Sequence, residues 1–590
     1  MLTLAKDKNT DYRIVVSESA PVSDLHAAGE LAGFLREISG AVFPVVTDAE
    51  PPADKEILVG LSKRTEKYLR RMEPLRNEGC YIRTDYQRLV LAGKGTRGTL
   101  YAVYGFLEEF LGCRWFTAEV SHIPKRDELT IPSIAKLDQP AFEYREPFFY
   151  EAFDGDWAVR NRVNSNAAAL DAARGGKMTY GRFGHTFNEL VPPDRYFDEH
   201  PEYFSMVNGE RLRERTQLCL TNPDVLRIAT EKVREWMRSM PEAAIFSVSQ
   251  NDCQNRCECP DCRKLEEEEG AASGPIIRFV NQIAEALEEE FPDKKIDTFA
   301  YSYSYRAPRH VRPHKNVVVR MCDIECCFVH PLTDNCPNWP KTPEKLKDRT
   351  FPNELARWAK LCDNMYVWDY CTNFIHFLMP RPDLPVLPAN LRFFRDNGVK
   401  GLFEQGSYVS PGGYMAELKA YLLAKLMWNP DADEAVITDE FLAGVYGCGA
   451  GLVRKIMDTF RADYLASGEH LYFSTHAGKL FTTLDFAGLE KYRAMFARLE
   501  ALALNEQQAK AVRKFKLCFR YLELYKMPLD YPERDLIIDR FVADLKEFGV
   551  TKFEETYSLE RSVEWMRESL DPDRKFYGDW ETEADTMIEP

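Results

Sequence analysis

The chain has 590 residues, of which 45% are hydrophobic, 29% charged and 12% aromatic. This length predicts roughly two to four domains, and the composition excludes a disordered chain. Lys and Arg total 77 against 93 Asp and Glu, a net charge of -16 that argues against nucleic acid or an anionic membrane surface as a partner.

The N-terminus lacks the uninterrupted apolar run of a signal peptide, and no stretch suggests the roughly 18 apolar residues of a membrane span. The chain has 15 cysteines, and their spread through a long sequence favours reduced thiols over a disulfide framework. We therefore expect a cytoplasmic protein that does not contact a membrane, although an exported protein whose leader had been trimmed would look the same. The sequence leaves the oligomeric state open.

Residues 1–135 predict a small α/β sandwich. The segment HAAGELAGFLREISG carries apolar residues at helical spacing and ends at Gly40, which can adopt the left-handed helix cap. ILVG and YIRTDYQRLVLAG predict strands, and GTRGTLYAVYGFLEEFLGCRW predicts a second helix with one apolar face. We expect these helices to pack on one sheet.

Residues 140–430 alternate short apolar strands with amphipathic helices, a pattern typical of parallel sheets. Eight candidate strands fit a (β/α)8 TIM barrel. They are EYREPFFYEAF, KMTYGRFGHTF, QLCLTN, AAIFSVSQND, KIDTFAYSYS, NVVVRMCDIE, NMYVWDYCTN and VKGLFEQGSY. Strand patterns then stop, so residues 431–590 predict an α-helical C-terminal domain.

The candidate barrel strands end in carboxylates and aromatic residues, and barrel enzymes place their catalytic groups at these ends. Glycoside hydrolysis requires an acid to protonate the leaving oxygen and a second carboxylate, while Trp and Tyr can stack on sugar rings. Any single carboxylate could instead cap a helix or form an ion pair. Their convergence favours a site.

We predict Asp252 and Glu404 as the catalytic pair, because SVSQND and GLFEQG are apolar strands that end near a carboxylate. The predicted substrate-binding residues are His185, Asn251, Tyr303, Asp323, Glu325, Trp368, Asp369 and Tyr370. A structural role is the alternative for His185.

CECPDC places Cys257, Cys259 and Cys262 at a spacing that can hold a structural zinc ion, with Cys253 just before them. A second cluster, CDIECCFVHPLTDNC, could complete such a site if the two loops meet. It supplies Cys322, Cys326, Cys327, His330 and Cys336. Reduced buried thiols and local disulfides remain alternatives, and a closed thiolate site would be structural, not catalytic.

Several of these motifs resemble known families. ILVG, EGCYIR and KGTRGTLYAVYGFLEEFLGCRWF resemble the N-terminal domain that precedes the barrel in bacterial α-glucuronidases and hexosaminidase-type enzymes. GHTF, HPEYF, QLCLTNP, SVSQND, CECPDC, YVWDY and GLFEQG resemble the domain-of-unknown-function 4838 family, which includes glycoside hydrolase family 163. The resemblance implies a (β/α)8 endo-β-N-acetylglucosaminidase of N-glycans. We expect no cofactor for catalysis.

The sequence thus predicts a glycoside hydrolase that cleaves a β-linked N-acetylhexosamine-containing glycan with retention, assisted by the acetamido group of the substrate. Glu404 is the predicted acid/base and Asp252 the orienting carboxylate, with the reverse assignment open. One alternative is a glycosidase for uronic acids, in which Arg160, Arg162 and Arg320 bind the sugar carboxylate. Another is a glycan-binding protein without activity.

Overall fold

The computed structural model describes residues 1–334, 336, 350–473 and 481–568. They form an N-terminal α/β region, a central parallel sheet that curls into a partial barrel, and a helical C-terminal region. The predicted fold class is confirmed.

Three helices pack on a mixed sheet in the N-terminal region. The elements are β1 (Leu2–Lys6), β2 (Arg13–Val16), α1 (Val22–Ser39), β3 (Val45–Thr47), β4 (Glu56–Val59), α2 (Leu69–Met72), β5 (Cys80–Asp85), β6 (Arg88–Gly93), α3 (Gly98–Glu109), β7 (Arg114–Trp115), β8 (Ser121–His122), β9 (Glu128–Ile131) and β10 (Ala135–Asp138). The six-stranded sheet has the order β10-β5-β6-β4-β2-β3, and β1 pairs with β9. Helix α1 ends at Gly40 in the left-handed conformation, φ 74°, as predicted.

The central region wraps helices around a parallel sheet. Its elements are β11 (Tyr144–Phe148), α4 (Gly155–Arg160), β12 (Tyr180–Arg182), α5 (Phe187–Leu190), α6 (Pro193–Tyr196), β13 (Met206–Val207), β14 (Glu210–Arg211), α7 (Pro223–Ser239), β15 (Ile245–Ser247), α8 (Pro260–Glu269), α9 (Ser273–Leu287), β16 (Lys295–Ala300), β17 (Val317–Cys322), α10 (Phe351–Trp358), β18 (Met365–Tyr370), α11 (Leu387–Asp396), β19 (Val399–Gln405) and α12 (Ala416–Trp428). The seven-stranded sheet has the order β11-β19-β18-β17-β16-β15-β12, with every pair parallel.

Seven strands form this sheet in the described part of the chain, one fewer than the eight predicted. The missing one is QLCLTN, residues 217–222, which makes only an isolated antiparallel bridge between Leu218 and Phe204. The side chain of Gln217, the first residue of the segment, donates to backbone carbonyl groups of the loop that follows β15. The side chains of Asn164 and Asn166 accept backbone hydrogen bonds from β11 and β12, each at 3.0 Å, and so bridge the open edges.

Aromatic side chains fill the interior of the curled sheet, which we call the lumen. They come from alternate positions of the strands, as the pleat requires. The lumen core is Tyr144, Tyr180, Ile245, Val318, Tyr366 and Phe403. Arg320 lies fully buried among these rings and its Nε donates to Asp297 at 3.1 Å. The lumen is packed at this level, and barrel enzymes bind their substrates at the carboxyl ends of the strands.

The C-terminal region is helical in its described part, as predicted. It contains α13 (Glu434–Tyr446), α14 (Ala450–Ser467), α15 (Glu490–Glu500), α16 (Glu506–Lys526), α17 (Arg534–Glu547) and α18 (Leu559–Glu568). Its connecting segments reach the carboxyl ends of the barrel strands, where the N–H of Phe374 donates to the carbonyl of Phe473 at 2.9 Å and that of Phe377 to Phe553 at 2.8 Å. These helices therefore support the loops around the candidate site.

By length and composition, residues 434–467 are apolar enough to cross a membrane, so the expectation that no stretch would pass such a test is wrong. The segment is two helices, α13 and α14, interrupted by a 3-10 turn at Gly447–Gly449. Phe441 and Phe460 are buried against neighbouring aromatic rings of the same chain. This packing is typical of core helices in a globular domain.

Candidate active site

Asp252 lies beyond β15, at the carboxyl end of the barrel, with 49% of its side chain exposed. Its Oδ1 accepts a hydrogen bond from the hydroxyl of Tyr301 at 3.0 Å. His185 Nε2 lies 3.9 Å from the same oxygen, and His185 Nδ1 is 2.5 Å from the carbonyl oxygen of Gln250. Since a carbonyl only accepts, Nδ1 carries a proton and Nε2 faces the carboxylate. Asp252 is thus an accessible, oriented carboxylate.

Trp368 is the centre of an aromatic wall that reaches His185 through the ring of Phe299. Its ring centroid is 4.5 Å from Phe403, 5.4 Å from Phe183 and 6.3 Å from Tyr370. Its Nε1 donates to Oε1 of Gln405 at 2.7 Å, which fixes the orientation of the indole. Trp368 is partly exposed, so it offers a flat apolar face of the kind on which sugar rings stack.

Glu325 lies in the loop after β17 and is partly exposed. Desolvation by its surroundings raises the pKa of Glu325 to about 7. Burial, followed by the negative charges of Asp252 and Glu325, raises the pKa of Tyr301 well above its usual value, so both carboxyl groups lie within electrostatic reach of that hydroxyl. We refer to Asp252, Tyr301, Glu325, Trp368 and Gln405 as the mouth. It combines a carboxyl group that holds its proton near neutral pH with an accessible carboxylate.

Glu404 does not face the lumen. Its neighbours Phe403 and Gln405 contact the lumen-facing Trp368, so the pleat directs the side chain between them to the outer face of the sheet. Asp369 is the register partner of Glu404 on β18 and shares that face. Asp323 follows β17 and is the third buried carboxyl group of this set, which we call the outer carboxyl cluster.

Burial governs the electrostatics of the outer carboxyl cluster. Desolvation and the charge of Asp369 raise the pKa of Asp323 and of Glu404 well above their usual values. Desolvation also raises the pKa of Asp369, against hydrogen bonds from its two neighbours. Cys371 Sγ donates to Oε2 of Glu404 at 3.2 Å. These groups therefore hold protons and hydrogen-bond inside the barrel wall, in a different group from Asp252.

Two predicted binding residues are engaged elsewhere. The amide of Asn251 is buried and donates to Asn188 Oδ1 at 2.8 Å and to the carbonyl of Thr216 at 2.7 Å, so it joins loops. Tyr303 is surrounded by groups of the loop and helix after β15, among them Cys253. In its place Tyr301 reaches the mouth. Alternation of side chains along β16 could have indicated Tyr301. Phe299, two residues earlier, contacts Trp368, so Tyr301 lies on the same face of the sheet.

Glu146 is a lumen carboxyl group that the sequence did not single out. It is the register partner of Phe403, accepts hydrogen bonds from the N–H of Ala167 at 2.9 Å and from the hydroxyl of Tyr144, and is buried. Burial raises the pKa of Glu146 to about 7. It is a second candidate for a proton donor, at the level of the aromatic wall.

Three groups of side chains in the described residues lie close enough to hold a metal ion; two are rich in cysteine, and the third is Cys371 with Asp369 and Glu404 of the outer carboxyl cluster. Cys257, Cys259 and Cys262 converge as predicted, but Cys219, which the sequence did not assign, is the fourth member. Cys253 lies outside this group, where its thiol contacts Gln217 and the carbonyl of Arg215. The second group is Cys327, His330, Cys336 and His470. The two loops thus do not share one site.

The family model described as Domain of unknown function (DUF4838) matches residues 115–458. No curated protein matches the sequence. Among solved structures, a family GH115 4-O-methyl-α-glucuronidase with specificity for decorated arabinogalactans has 12% identity and a TM-score of 0.57, covering 97% of this chain and 79% of that one. At that identity the likeness shows a shared fold.

Two further structures are less similar. CpGH84B has 12% identity and a TM-score of 0.45, with 95% of this chain and 96% of that one covered. A GH138 enzyme targeting pectin rhamnogalacturonan II has 10% identity and a TM-score of 0.49, with 98% and 78% covered.

Proposed function

This chain belongs to the family described as Domain of unknown function (DUF4838), and on that premise we propose that it is a glycoside hydrolase. The observation that carries the proposal is the mouth, where Asp252 accepts a hydrogen bond from the hydroxyl of Tyr301 and the charge of Glu325 acts on the same hydroxyl. Glycoside hydrolysis needs a protonated carboxyl group and a second carboxylate next to a sugar-binding surface. A carboxyl group whose pKa is raised to about 7 is suited to act as a general acid, which favours catalysis over simple glycan binding.

The substrate we propose is a glycan with a β-linked N-acetylhexosamine, the substrate class of glycoside hydrolase family 163, which the motifs resemble. Glu325 donates its proton to the leaving oxygen as the acetamido oxygen attacks the anomeric carbon and the glycosidic bond breaks. Asp252 accepts a hydrogen bond from the acetamido N–H and stabilises the positive charge of the oxazolinium ion that forms. Water then attacks the anomeric carbon as the bond from that carbon to the acetamido oxygen breaks, which restores the acetamido group. The attacking water gives one proton to Glu325 and leaves its hydroxyl on the sugar, with net retention.

A uronic acid substrate is the second candidate, because the GH115 structure is that of an α-glucuronidase. The three arginines considered for binding a sugar carboxylate all have other partners. Arg160 pairs with Glu30 at 2.9 Å, Arg162 with Glu108 at 2.5 Å and Arg320 with Asp297 at 3.1 Å. Each of these guanidinium groups is therefore already paired with a carboxylate of the protein and does not supply the positive charge that a uronate would need. This favours a neutral N-acetylated sugar.

Product analysis by mass spectrometry tests the proposal. The full chain is incubated with N-glycans, chitooligosaccharides and uronide-containing oligosaccharides. We expect cleavage next to an N-acetylhexosamine, and NMR of the fresh product should show the β-anomer. Cleavage of uronides alone would support the second candidate, an α-product would exclude acetamido assistance, and binding without products would identify a glycan-binding protein.

A further inference from the structure

We propose that the chain holds two structural zinc ions, one in each of two loops beside the mouth. The first site is formed by Cys219, Cys257, Cys259 and Cys262, all buried, with sulfur atoms within 4.8 Å of one another. Cysteine thiolates in a closed set of four are the ligands that structural zinc prefers. This inference does not depend on the proposed activity.

The sulfur separations match a tetrahedral metal site. Cys219 Sγ lies 3.6 Å from Cys259 Sγ and 4.0 Å from Cys262 Sγ. A disulfide would need about 2 Å. Four sulfur atoms at about 2.3 Å from a central zinc ion lie about 3.8 Å apart at the corners of a tetrahedron.

Neighbouring groups are placed to stabilise thiolate charge. The backbone N–H of Met206 donates to Cys257 Sγ at 3.5 Å, and Arg211 Nη1 donates to the same sulfur at 3.6 Å. The hydroxyl of Thr221 lies 3.3 Å from Cys262 Sγ. Four thiolates around a divalent ion leave a net charge of about -2, and such outer donors offset it.

A metal here would fix the loop that carries Asp252. Gln217, two residues before Cys219, donates to the carbonyl groups of Asn251 at 2.8 Å and Cys253 at 2.7 Å. The backbone N–H of Asn251 donates back to Gln217 Oε1 at 2.9 Å. The segment 217–222 therefore holds the Asp252 loop through the side chain of Gln217. Zinc would join this segment, through Cys219, to the cysteines that follow the loop.

The second site has mixed ligands and shares no residue with the first. Cys327 Sγ lies 3.4 Å from His330 Nδ1 and 3.3 Å from His470 Nδ1, with Cys336 as the fourth member. A tetrahedral zinc ion with ordinary bond lengths places its sulfur and nitrogen ligands about 3.6 Å apart. Two cysteines and two histidines are a common set for structural zinc.

This second site would tie the loop after β17, which carries Glu325, to the C-terminal region. His470 follows α14, and the N–H of Phe328 donates to the carbonyl of Leu471 at 2.7 Å beside it. One metal would thus hold each of the two loops that supply carboxyl groups to the mouth.

The proposal is tested by measuring the zinc content of the full chain with inductively coupled plasma mass spectrometry. The protein is purified without chelator and dialysed before the measurement. We expect about two zinc ions per chain. Cys219→Ser and His470→Ala should each lose one ion and keep the other, and Cys448→Ser, at an exposed thiol outside both sites, should keep two. Fewer than about 0.2 zinc per chain, both as purified and after incubation with zinc, would overturn it, as would variants that retain both ions.

If a variant fails to fold, zinc release from the wild-type chain provides the second measurement. Modification of thiols with a mercurial should release zinc into a chromogenic chelator in two steps, because the sites are separate. Release should begin before the loss of helical circular dichroism. Thiol modification that releases no zinc would contradict the assignment.

Discussion

The hydroxyl of Tyr301 donates to Oδ1 of Asp252 at 3.0 Å and so connects the carboxyl ends of two adjacent barrel strands. Burial raises the pKa of Tyr301 well above its usual value, so this hydroxyl keeps its proton at neutral pH and remains a donor. Asp252 is thereby oriented while its second oxygen stays available to a substrate.

Asp252→Asn should lower kcat by roughly 10²- to 10⁴-fold, the range for loss of one carboxylate that acts in the transition state. The thermal midpoint should change little, because Asp252 is half exposed. Initial rates on the substrate identified by product analysis measure the effect. Asp293→Asn, at an exposed turn before β16 and thus at the opposite end of the barrel, is the matched control and should keep wild-type rates.

Glu325→Gln should remove the alkaline limb of the pH–rate profile. A general acid works only while protonated, so wild-type activity should fall as pH rises through about 7, the raised pKa of Glu325. The variant should be slow at all pH values and less impaired on an aryl glycoside, whose leaving group needs no proton. Glu146→Gln is the comparison, since the pKa of Glu146 is also raised to about 7. A limb that persists in the first variant and vanishes in the second would assign the acid to Glu146.

Glu404→Gln tests the catalytic role predicted from the sequence. Because Glu404 is buried on the outer face and bonded to Cys371, we expect kcat to stay within about threefold of wild type. The amide keeps the shape of the side chain. A loss of 100-fold or more with an unchanged circular dichroism spectrum would restore Glu404 as a catalytic residue.

The outer carboxyl cluster should make the protein less stable as pH rises. Burial raises the folded-state pKa of Asp323, so the folded chain binds more protons than the unfolded chain above about pH 4, the unfolded value. The free energy of unfolding then falls by up to about 1.4 kcal/mol per pH unit until the folded-state pKa is passed. In Asp323→Asn the thermal midpoint should change less with pH between pH 5 and 8 than it does in the wild type. Asp363→Asn, exposed before β18, should leave the slope unchanged; equal slopes in all three proteins would contradict the shift.

Trp368→Ala should raise KM by about tenfold, equivalent to about 1.4 kcal/mol, through loss of the stacking surface. Trp368→Phe keeps an aromatic ring but loses the hydrogen bond to Gln405. Its KM should therefore lie between those of the wild type and Trp368→Ala. If both variants bind oligosaccharide like the wild type by calorimetry, Trp368 is not part of the binding surface.

Alternation of strands and helices was enough to predict the architecture, because hydrophobic periodicity is a local property. The same alternation could not predict which face of the sheet the side chain of Glu404 occupies. Both faces of a strand in a parallel barrel are buried, so GLFEQG contains no polar side to mark the lumen. The register shared by Phe403 and Trp368 decides it, and that register exists only in the folded sheet.

The sequence predicted only some members of each set of metal ligands, for a similar reason. Spacing indicates ligands that are close in sequence, such as Cys257, Cys259 and Cys262. Cys219 and His470 come from segments 40 residues before Cys259 and 143 residues after Cys327, and only tertiary packing brings them in. The same holds for Tyr301 and Asp252, which lie 49 residues apart.

The central claim is that the mouth hydrolyses glycosidic bonds, and product formation from N-glycans by wild type and by Asp252→Asn, followed in parallel by mass spectrometry, tests it most directly. We predict N-acetylhexosamine-terminated products from the wild type and at least 100-fold slower formation by a folded Asp252→Asn variant. No product from any glycan tested, or equal rates for the two proteins, would contradict the account.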